Sequence, residues 1–309
     1  MSDAALQLPD ARRTITTYLI CVFALSSIFY TLIIRAGHIT AAHGLYVFAL
    51  MWCPGVSALL TSLIVRRPFR ALGWSWKWRY EWVSWAIPIA YATLAYAAVW
   101  ALGLGGVPDW AKTDAFMRFT HFAGPRPIGM FLWIAATITI GAWLSVISAL
   151  GEEIGWRGLL VPELARTTTF TKTALISGVI WTSWHVPVLL FADYNNGTPA
   201  WYGLSCFAVM VIGINFAFAY LRLKSGSLWT GAVMHATHNT VIQAILTPLT
   251  IDTGHTKWFI DEFGCALAIA ALIVAFLVWR RRAAVERLSP SLLLDSAYVA
   301  AAAPAPARS

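Results

Sequence analysis

Long apolar runs divide this chain into segments of about 20 residues, separated by short polar stretches. Each is close to the roughly 20 residues that a helix needs to cross about 30 Å of hydrocarbon. Because lipid offers the backbone no hydrogen-bond partners, a crossing segment is expected to be helical. The pattern predicts an all-α polytopic membrane protein of about eight transmembrane helices, at 14–34, 45–65, 82–104, 128–150, 174–191, 202–221, 228–249 and 259–279.

Composition supports a membrane protein and argues against a soluble one. Only 12% of the residues are charged, whereas 59% are hydrophobic and the mean hydropathy is +0.67. Ordinary soluble domains carry roughly 25% charged residues. Seventeen Trp and ten Tyr suit the membrane interface, where amphipathic rings gather. The net charge of +8 comes from short loops without a basic strip or an RNA-binding signature, so lipid is the expected surrounding and nucleic acid is not a partner.

The positive charges predict which side of the membrane each loop occupies. With the N-terminus inside, the inner segments hold 17 Lys and Arg and the outer segments hold five. Cytoplasmic loops carry such an excess, so both termini are expected in the cytoplasm. We therefore predict a cytoplasmic segment 1–13, a transmembrane bundle 14–282 and a disordered cytoplasmic tail 283–309, with 105–127 as an outer loop. The Ala-rich and Trp-rich composition suggests a bacterial inner or plasma membrane.

Ionisable residues inside apolar spans are costly and usually functional. The first such cluster, Glu152, Glu153 and Arg157, continues from the fourth span. On a helix Glu153 and Arg157 are four residues apart and face each other, so Arg157 is expected to neutralise Glu153. Glu152 points about 100° away and is left to act on something else. Alternatively, both carboxylates lie in the inner headgroup zone and are merely solvated.

Two further polar clusters lie in later spans. The fifth span holds His185, four residues after Trp181, among apolar neighbours. The seventh span holds His235 and Asn239 on one helical face, with His238 close by on the same arc. As an alternative to catalysis, these side chains could join helices by hydrogen bonds as structural glue.

The three clusters are predicted to lie at similar depths. Counted along the helix axes from the inner side, Glu152, His185 and His235 agree within about one helical turn. One site explains this agreement more simply than three separate structural roles. We therefore expect the clusters to line one conical cavity that faces the inner side.

The order of the motifs resembles a known family. A Glu-Glu-x-x-x-Arg motif at 152–157, an aromatic-x-x-x-His motif at 181–185 and a His-x-x-x-Asn motif at 235–239 follow one another on successive helices. This set resembles the CPBP family, which contains the CAAX prenyl proteases of the Ras-converting type and the bacterial bacteriocin-immunity and lysostaphin-resistance proteins. The resemblance runs from about residue 128 to 249, and we call this part of the transmembrane bundle the protease-like core. This sequence departs from the family pattern at Trp181, where Phe is common. The difference is expected to change the shape of the pocket and not the chemistry.

The resemblance implies an intramembrane endopeptidase that cuts a membrane-associated protein or peptide. By this resemblance Glu152 activates water, and His185 positions or deprotonates that water. His235 and Asn239 bind and polarise the scissile carbonyl. The residues that support the site are Glu153, Arg157, Trp181 and His238.

Metal dependence and other functions stay open in the sequence. Glu152, His185 and His235 could hold Zn²⁺ with an open fourth position, although the usual His-Glu-x-x-His helix is absent. We favour a glutamate mechanism without a cofactor. A non-proteolytic immunity or scaffold protein of the same fold is the alternative. A proton-coupled transporter would show inverted repeats, and none is visible. The sequence does not indicate an oligomeric state.

Overall fold

The computed structural model describes residues 9–286, so most of the predicted segment 1–13 and of the predicted tail 283–309 lies outside it. The regular elements within 9–286 are helices, namely α1 (Ala11–Ala36), α2 (Leu45–Ile64), α3 (Trp78–Ala101), α4 (Ala111–Thr120), α5 (Arg126–Ala165), α6 (Phe170–Phe191), α7 (Ala200–Ser225), α8 (Trp229–Val241), α9 (Cys265–Trp279) and α10 (Ala283–Glu286). Three π-helical stretches occur: Thr137–Gly141 and Ile154–Leu160 inside α5, and Ile242–Leu246 directly after α8.

Six of these helices are long and apolar enough to cross a membrane, namely α1, α2, α3, α5, α6 and α7. They confirm an all-α polytopic membrane protein. Helices α8 and α9 occupy the seventh and eighth predicted spans, but they are shorter, with 13 and 15 residues. The number of eight crossings therefore stays a prediction.

The helix boundaries differ from the predicted ones in several places, most of all in α5, which continues to Ala165, 15 residues beyond the predicted end of the fourth span at 150. The predicted outer loop 105–127 contains α4, a ten-residue helix. Helix α9, which corresponds to the eighth predicted span, begins only at Cys265, six residues after the predicted start. A tight turn explains the delay: Asp261 has φ of 63°, and a Cβ on Gly264 would lie 2.3 Å from the carbonyl oxygen of Ile260. Residues 259–264 therefore form a turn instead of the first turns of a helix.

The connections between helices meet at two ends of the bundle, which we call the outer and inner ends after the charge-based prediction. At the outer end, the backbone N–H of Ile39 donates to Asp193 at 2.7 Å. At the inner end, Glu163 forms ion pairs with Arg67 at 2.9 Å and with Arg166 at 2.5 Å. Side-chain contacts thus join connections that are distant in sequence.

Glycines allow α2 and α5 to approach closely beside the first cluster. A Cβ on Gly151 would lie 2.7 Å from the carbonyl oxygen of Met51, and a Cβ on Gly55 would lie 2.6 Å from that of Gly151. Gly155 follows one turn later and lies against Pro54. Small residues four apart are the usual means by which membrane helices bring their backbones together. This contact fixes the part of α5 that carries the two glutamates.

Candidate active site

A cavity of about 190 Å³ lies among α2, α5, α6, α7 and α8. Its apolar wall includes Leu50, Met210 and Phe218. Its polar lining consists of Glu152, Trp181, His185, Tyr194, His235, His238, Asn239, Gln243 and Glu262. Residues from all three predicted clusters therefore line one cavity, while Glu153 and Arg157 are buried and are not among its lining residues.

Two tryptophans hold the carboxylate of Glu152. Its Oε2 accepts hydrogen bonds from the indole N–H of Trp181 at 2.8 Å and of Trp156 at 3.2 Å. An indole N–H only donates, so both bonds fix Oε2 as an acceptor. The hydrogen bonds within residues 9–286 leave the other oxygen, Oε1, unused. The carboxylate is thus oriented by neutral donors and keeps one oxygen for a further partner.

Glu153 and Arg157 form the ion pair expected from their spacing, and neither side chain is exposed. The guanidinium donates to Glu153 at 2.8 Å and to Oδ1 of Asn215 at 3.0 Å. It also lies between two aromatic rings, 4.1 Å from the centroid of Trp181 and 3.8 Å from that of Phe218. Buried charges are stable only when they are paired and hydrogen-bonded. This pair therefore has a structural role beside the cavity.

The rings of His185 and His235 are both held through Nδ1. Nδ1 of His185 lies 2.9 Å from the carbonyl oxygen of Trp181, and Nδ1 of His235 lies 3.0 Å from Oε1 of Glu153. Carbonyl and carboxylate oxygens accept, so Nδ1 carries the proton in both rings. Nε2 is then the nitrogen available to water or substrate. Trp181 contacts both rings, with centroids 6.1 Å from His185 and 5.4 Å from His235, and so shapes the pocket between them.

Asn239 lies one helical turn beyond His235 and is half-buried at the cavity wall. None of the hydrogen bonds found within 9–286 uses its side-chain amide. The π-helical stretch Ile242–Leu246 begins three residues later. Such stretches are frequent at functional sites because they turn side chains out of the regular α-helical register. The amide is therefore available to a ligand in the cavity.

A second carboxylate of the cavity, Glu262, was missed in the sequence analysis. Its Oε1 lies 2.9 Å from Nε2 of His238, and its Oε2 accepts a hydrogen bond from the hydroxyl of Tyr194 at 2.5 Å. The hydroxyl of Tyr91 contacts the other ring nitrogen of His238. The available signal was the pair Asp261-Glu262 inside a predicted span, where a charge is expensive.

The cavity reaches the outer end of the bundle. Three of its lining residues, Ile39, Tyr194 and Glu262, belong to connections at that end. The described inner connections, which include the ion pairs of Glu163, contribute no residue to the lining. The inward-facing opening stays a prediction, and the lining residues favour the opposite end.

A metal centre is not formed by the side chains as they stand. Two imidazoles with Nδ1 bound to an acceptor and Nε2 available, together with a carboxylate, are suitable zinc ligands chemically. In the chain from residue 9 to 286, however, no three His, Cys, Asp or Glu side chains are close enough together to hold an ion. The donor set of Glu152, His185 and His235 has the right chemistry without the required convergence.

Comparisons with known proteins point to the same region. Residues 133–241 match the family model described as type II CAAX prenyl endopeptidase, Rce1-like. Over 141 residues the chain is 26% identical to CAAX prenyl protease 2 of Methanococcus maripaludis, covering 43% of this chain and 48% of that protein. The chain thus spans about half the length of this curated relative. The segment matched by the family model contains the predicted site residues from Glu152 to Asn239 and ends before Glu262.

Proposed function

We propose that this chain, a member of the CPBP family of CAAX-protease-like membrane proteins, is an intramembrane endopeptidase that hydrolyses a peptide bond with a water activated by Glu152 and His185. One observation carries the proposal: Glu152, His185, His235 and Asn239 line a single cavity inside the bundle. Their side chains leave a carboxylate oxygen, two imidazole nitrogens and an amide for a ligand. The match to the family model supports the same reaction.

In the proposed reaction, Oε1 of Glu152 accepts a proton from a water molecule. Nε2 of His185, which has a free lone pair because Nδ1 is bound to a carbonyl, orients this water by accepting its second hydrogen. The water oxygen attacks the scissile carbonyl carbon, and the proton on Glu152 then passes to the leaving amine. A carboxylate held by two indoles stays in place during both transfers.

The oxyanion is stabilised from α8. The side-chain amide of Asn239 donates a hydrogen bond to it, and so does Nε2 of His235 when that ring is doubly protonated. Glu153 at Nδ1 fixes the orientation of the His235 ring in either form. Donors that are already fixed in a site shielded from water stabilise a developing negative charge strongly.

The proposed mechanism contains no step through a metal. If Zn²⁺ binds, Glu152, His185 and His235 are the residues that would hold it, and the ion would supply Lewis-acid activation of the water. Binding would require these side chains to move closer together than they are here.

We propose a membrane-associated protein or peptide as the substrate, which enters the cavity from lipid or from one end of the bundle. The curated relative is named as a CAAX prenyl protease. A prenylated CAAX peptide is therefore one probe, and an unmodified membrane-spanning peptide is the other. We propose that the termini lie in the cytoplasm, on the basis of the Lys and Arg distribution, and that the membrane is a bacterial inner or plasma membrane, on the basis of the Ala-rich and Trp-rich composition.

The test uses the full-length protein purified in lipid nanodiscs and both peptides, with cleavage followed by mass spectrometry. We expect the wild type to cleave at least one probe and Glu152→Gln to lose cleavage. The Gln amide oxygen still accepts both indole hydrogen bonds, so the unfolding temperature should hardly change. Asp252→Asn, the same chemical change in an exposed connection, is the matched control and should cleave normally.

Other results would overturn parts of the proposal. Full cleavage by Glu152→Gln would refute the role of this carboxylate. Binding of a probe by wild type and variant alike, with cleavage by neither, would indicate the non-proteolytic immunity or scaffold function. Loss of wild-type cleavage in a chelator, with recovery in Zn²⁺, would replace the glutamate mechanism by a metal-dependent one.

A further inference from the structure

A second buried hydrogen-bond network lies beside the four proposed catalytic groups. Glu262 is at its centre, with 5% of its surface exposed, and it binds His238 through one carboxylate oxygen and Tyr194 through the other. Tyr91 on α3 completes the network at the far nitrogen of His238. The network therefore joins α3, α8, the α6–α7 connection and the turn before α9, which are widely separated in sequence.

One arm of the network contacts His185. The ring of Tyr194 stacks on the His185 imidazole, with centroids 6.4 Å apart and an interplanar angle of 28°. Phe207 contacts the same imidazole at 5.0 Å from the α7 side, and Phe263 packs against Tyr194 at 5.1 Å. Because the hydroxyl of Tyr194 is bonded to Glu262, the carboxylate holds this ring over the imidazole.

The other arm contacts the residue next to Asn239. His238 precedes Asn239 on α8, and both of its ring nitrogens are bonded, to Tyr91 and to Glu262. A ring that is held at both nitrogens cannot rotate without breaking a buried hydrogen bond, and an unsatisfied buried polar group is costly. This part of α8 is therefore fixed in rotation where it presents the Asn239 amide to the cavity.

We infer that Glu262 is a positioning residue that holds His185 through Tyr194 and Asn239 through His238, so that the water-activating side and the oxyanion side of the cavity keep their separation. This inference rests on the proposed endopeptidase function. Glu262 does not itself touch the reacting atoms. Its contribution is to the rate of the chemical step, because a misplacement of about 1 Å between reacting groups can lower a rate about 100-fold.

The test compares Glu262→Gln with Asp261→Asn as the matched control. Both substitutions change a carboxylate to an amide in the same turn, but Asp261 is not among the residues that line the cavity. Asn also tolerates the positive φ at position 261 and keeps an oxygen for the backbone N–H of Glu262. Kinetics use the farnesylated CAAX peptide or the membrane-spanning peptide, whichever the wild type cleaves. Hydrogen–deuterium exchange is measured on the same samples without peptide.

We expect Glu262→Gln to lower kcat about 10–100-fold with KM changed less than threefold, because the amide replaces one acceptor oxygen by a donor. Exchange should rise in 192–199 and 235–246, while Asp261→Asn leaves kcat and exchange near wild type. Tyr194→Phe should lower kcat in the same direction. The kcat of the double variant, Tyr194→Phe with Glu262→Gln, should be no lower than that of Glu262→Gln alone, since both changes break the same hydrogen-bonded connection to His185.

Two results would overturn the inference. Unchanged kcat and unchanged exchange in Glu262→Gln would show that the network does not position the site. A rise in KM with kcat preserved would instead assign Glu262 to substrate binding. If the wild type cleaves neither peptide, the endopeptidase proposal fails, and the exchange measurement still decides whether Glu262 holds 192–199 and α8.

Discussion

Replacing Arg157 by Met should destabilise the protein strongly without directly removing a catalytic group. The substitution roughly fills the same volume but leaves the carboxylate of Glu153 buried with His235 as its remaining hydrogen-bond donor. One oxygen of Glu153, Oε2, already has no hydrogen-bond partner among residues 9–286. Asn215 also loses the donor to its side-chain oxygen. The change therefore removes the main compensation for a fully buried charge.

The expected loss follows from the cost of breaking a buried ion pair, about 3–5 kcal/mol. In folded domains of 150–250 residues, 1 kcal/mol shifts the unfolding temperature by about 2–4 °C. We therefore expect Arg157→Met to lower that temperature by roughly 6–20 °C. The measurement is thermal unfolding in detergent, followed by the fluorescence of the 17 tryptophans.

Two controls isolate the charge effect. Arg126→Met breaks an exposed pair with Asp114 at 2.9 Å, and such surface pairs contribute only about 0–1 kcal/mol. The double variant Glu153→Gln with Arg157→Met leaves no stranded charge, so it should be more stable than Arg157→Met alone. A loss for Arg157→Met no larger than that for Arg126→Met would refute the reasoning, as would a double variant less stable than the single one.

Three further predictions test the site and its surroundings. Asn239→Ala should lower kcat about 10²–10³-fold with an unchanged unfolding temperature, as for other oxyanion donors, and a change in KM alone would contradict this. Gly151→Ala places a methyl group 2.7 Å from the carbonyl oxygen of Met51, so thermal unfolding should show a loss of about 1–3 kcal/mol, while an unchanged temperature would mean that the helices separate freely. Burial and, secondly, the charge of Glu262 raise the pKa of Asp261 to about 7. Its ionisation therefore opposes folding increasingly as the pH rises from the unfolded pKa of about 4 to pH 7. Asp261→Asn should match the wild type in unfolding temperature at pH 4 and exceed it by at least about 2–4 °C at pH 8. An equal difference at both pH values would contradict the raised pKa of Asp261.

The sequence predicted the spans and the clustered polar residues because both depend on local patterns. Long apolar runs predict which segments cross the lipid bilayer, and helical spacing alone brings Glu153 next to Arg157. The third partner of that pair, Asn215, lies 58 residues away on α7 and depends on how the helices pack. The contact between Gly151 and Met51 is equally a property of two helices together, which no single segment reveals.

Glu262 escaped prediction for a related reason. Assigning 259–279 to one helix treated Asp261 and Glu262 as part of a span, whereas the turn before Cys265 bends them back toward the bundle. A carboxylate in an apolar run is expensive, and this cost was the one local sign of its role. Its partner Tyr194 carries no such sign, and neither does Tyr91, which contacts the far nitrogen of His238, because tyrosine is ordinary in membrane proteins.

The different partners of the two adjacent glutamates explain why one of them suits catalysis. Glu153 pairs with Arg157, so protonating Glu153 would leave a buried cation without its counter-ion. Glu152 is instead held by the neutral indoles of Trp156 and Trp181, and a protonated Glu152 can still accept from both through the same oxygen. A proton can therefore arrive at Glu152 and leave again without stranding another charge. The 100° rotation between successive helical residues directs Glu153 to the ion pair and Glu152 to the cavity.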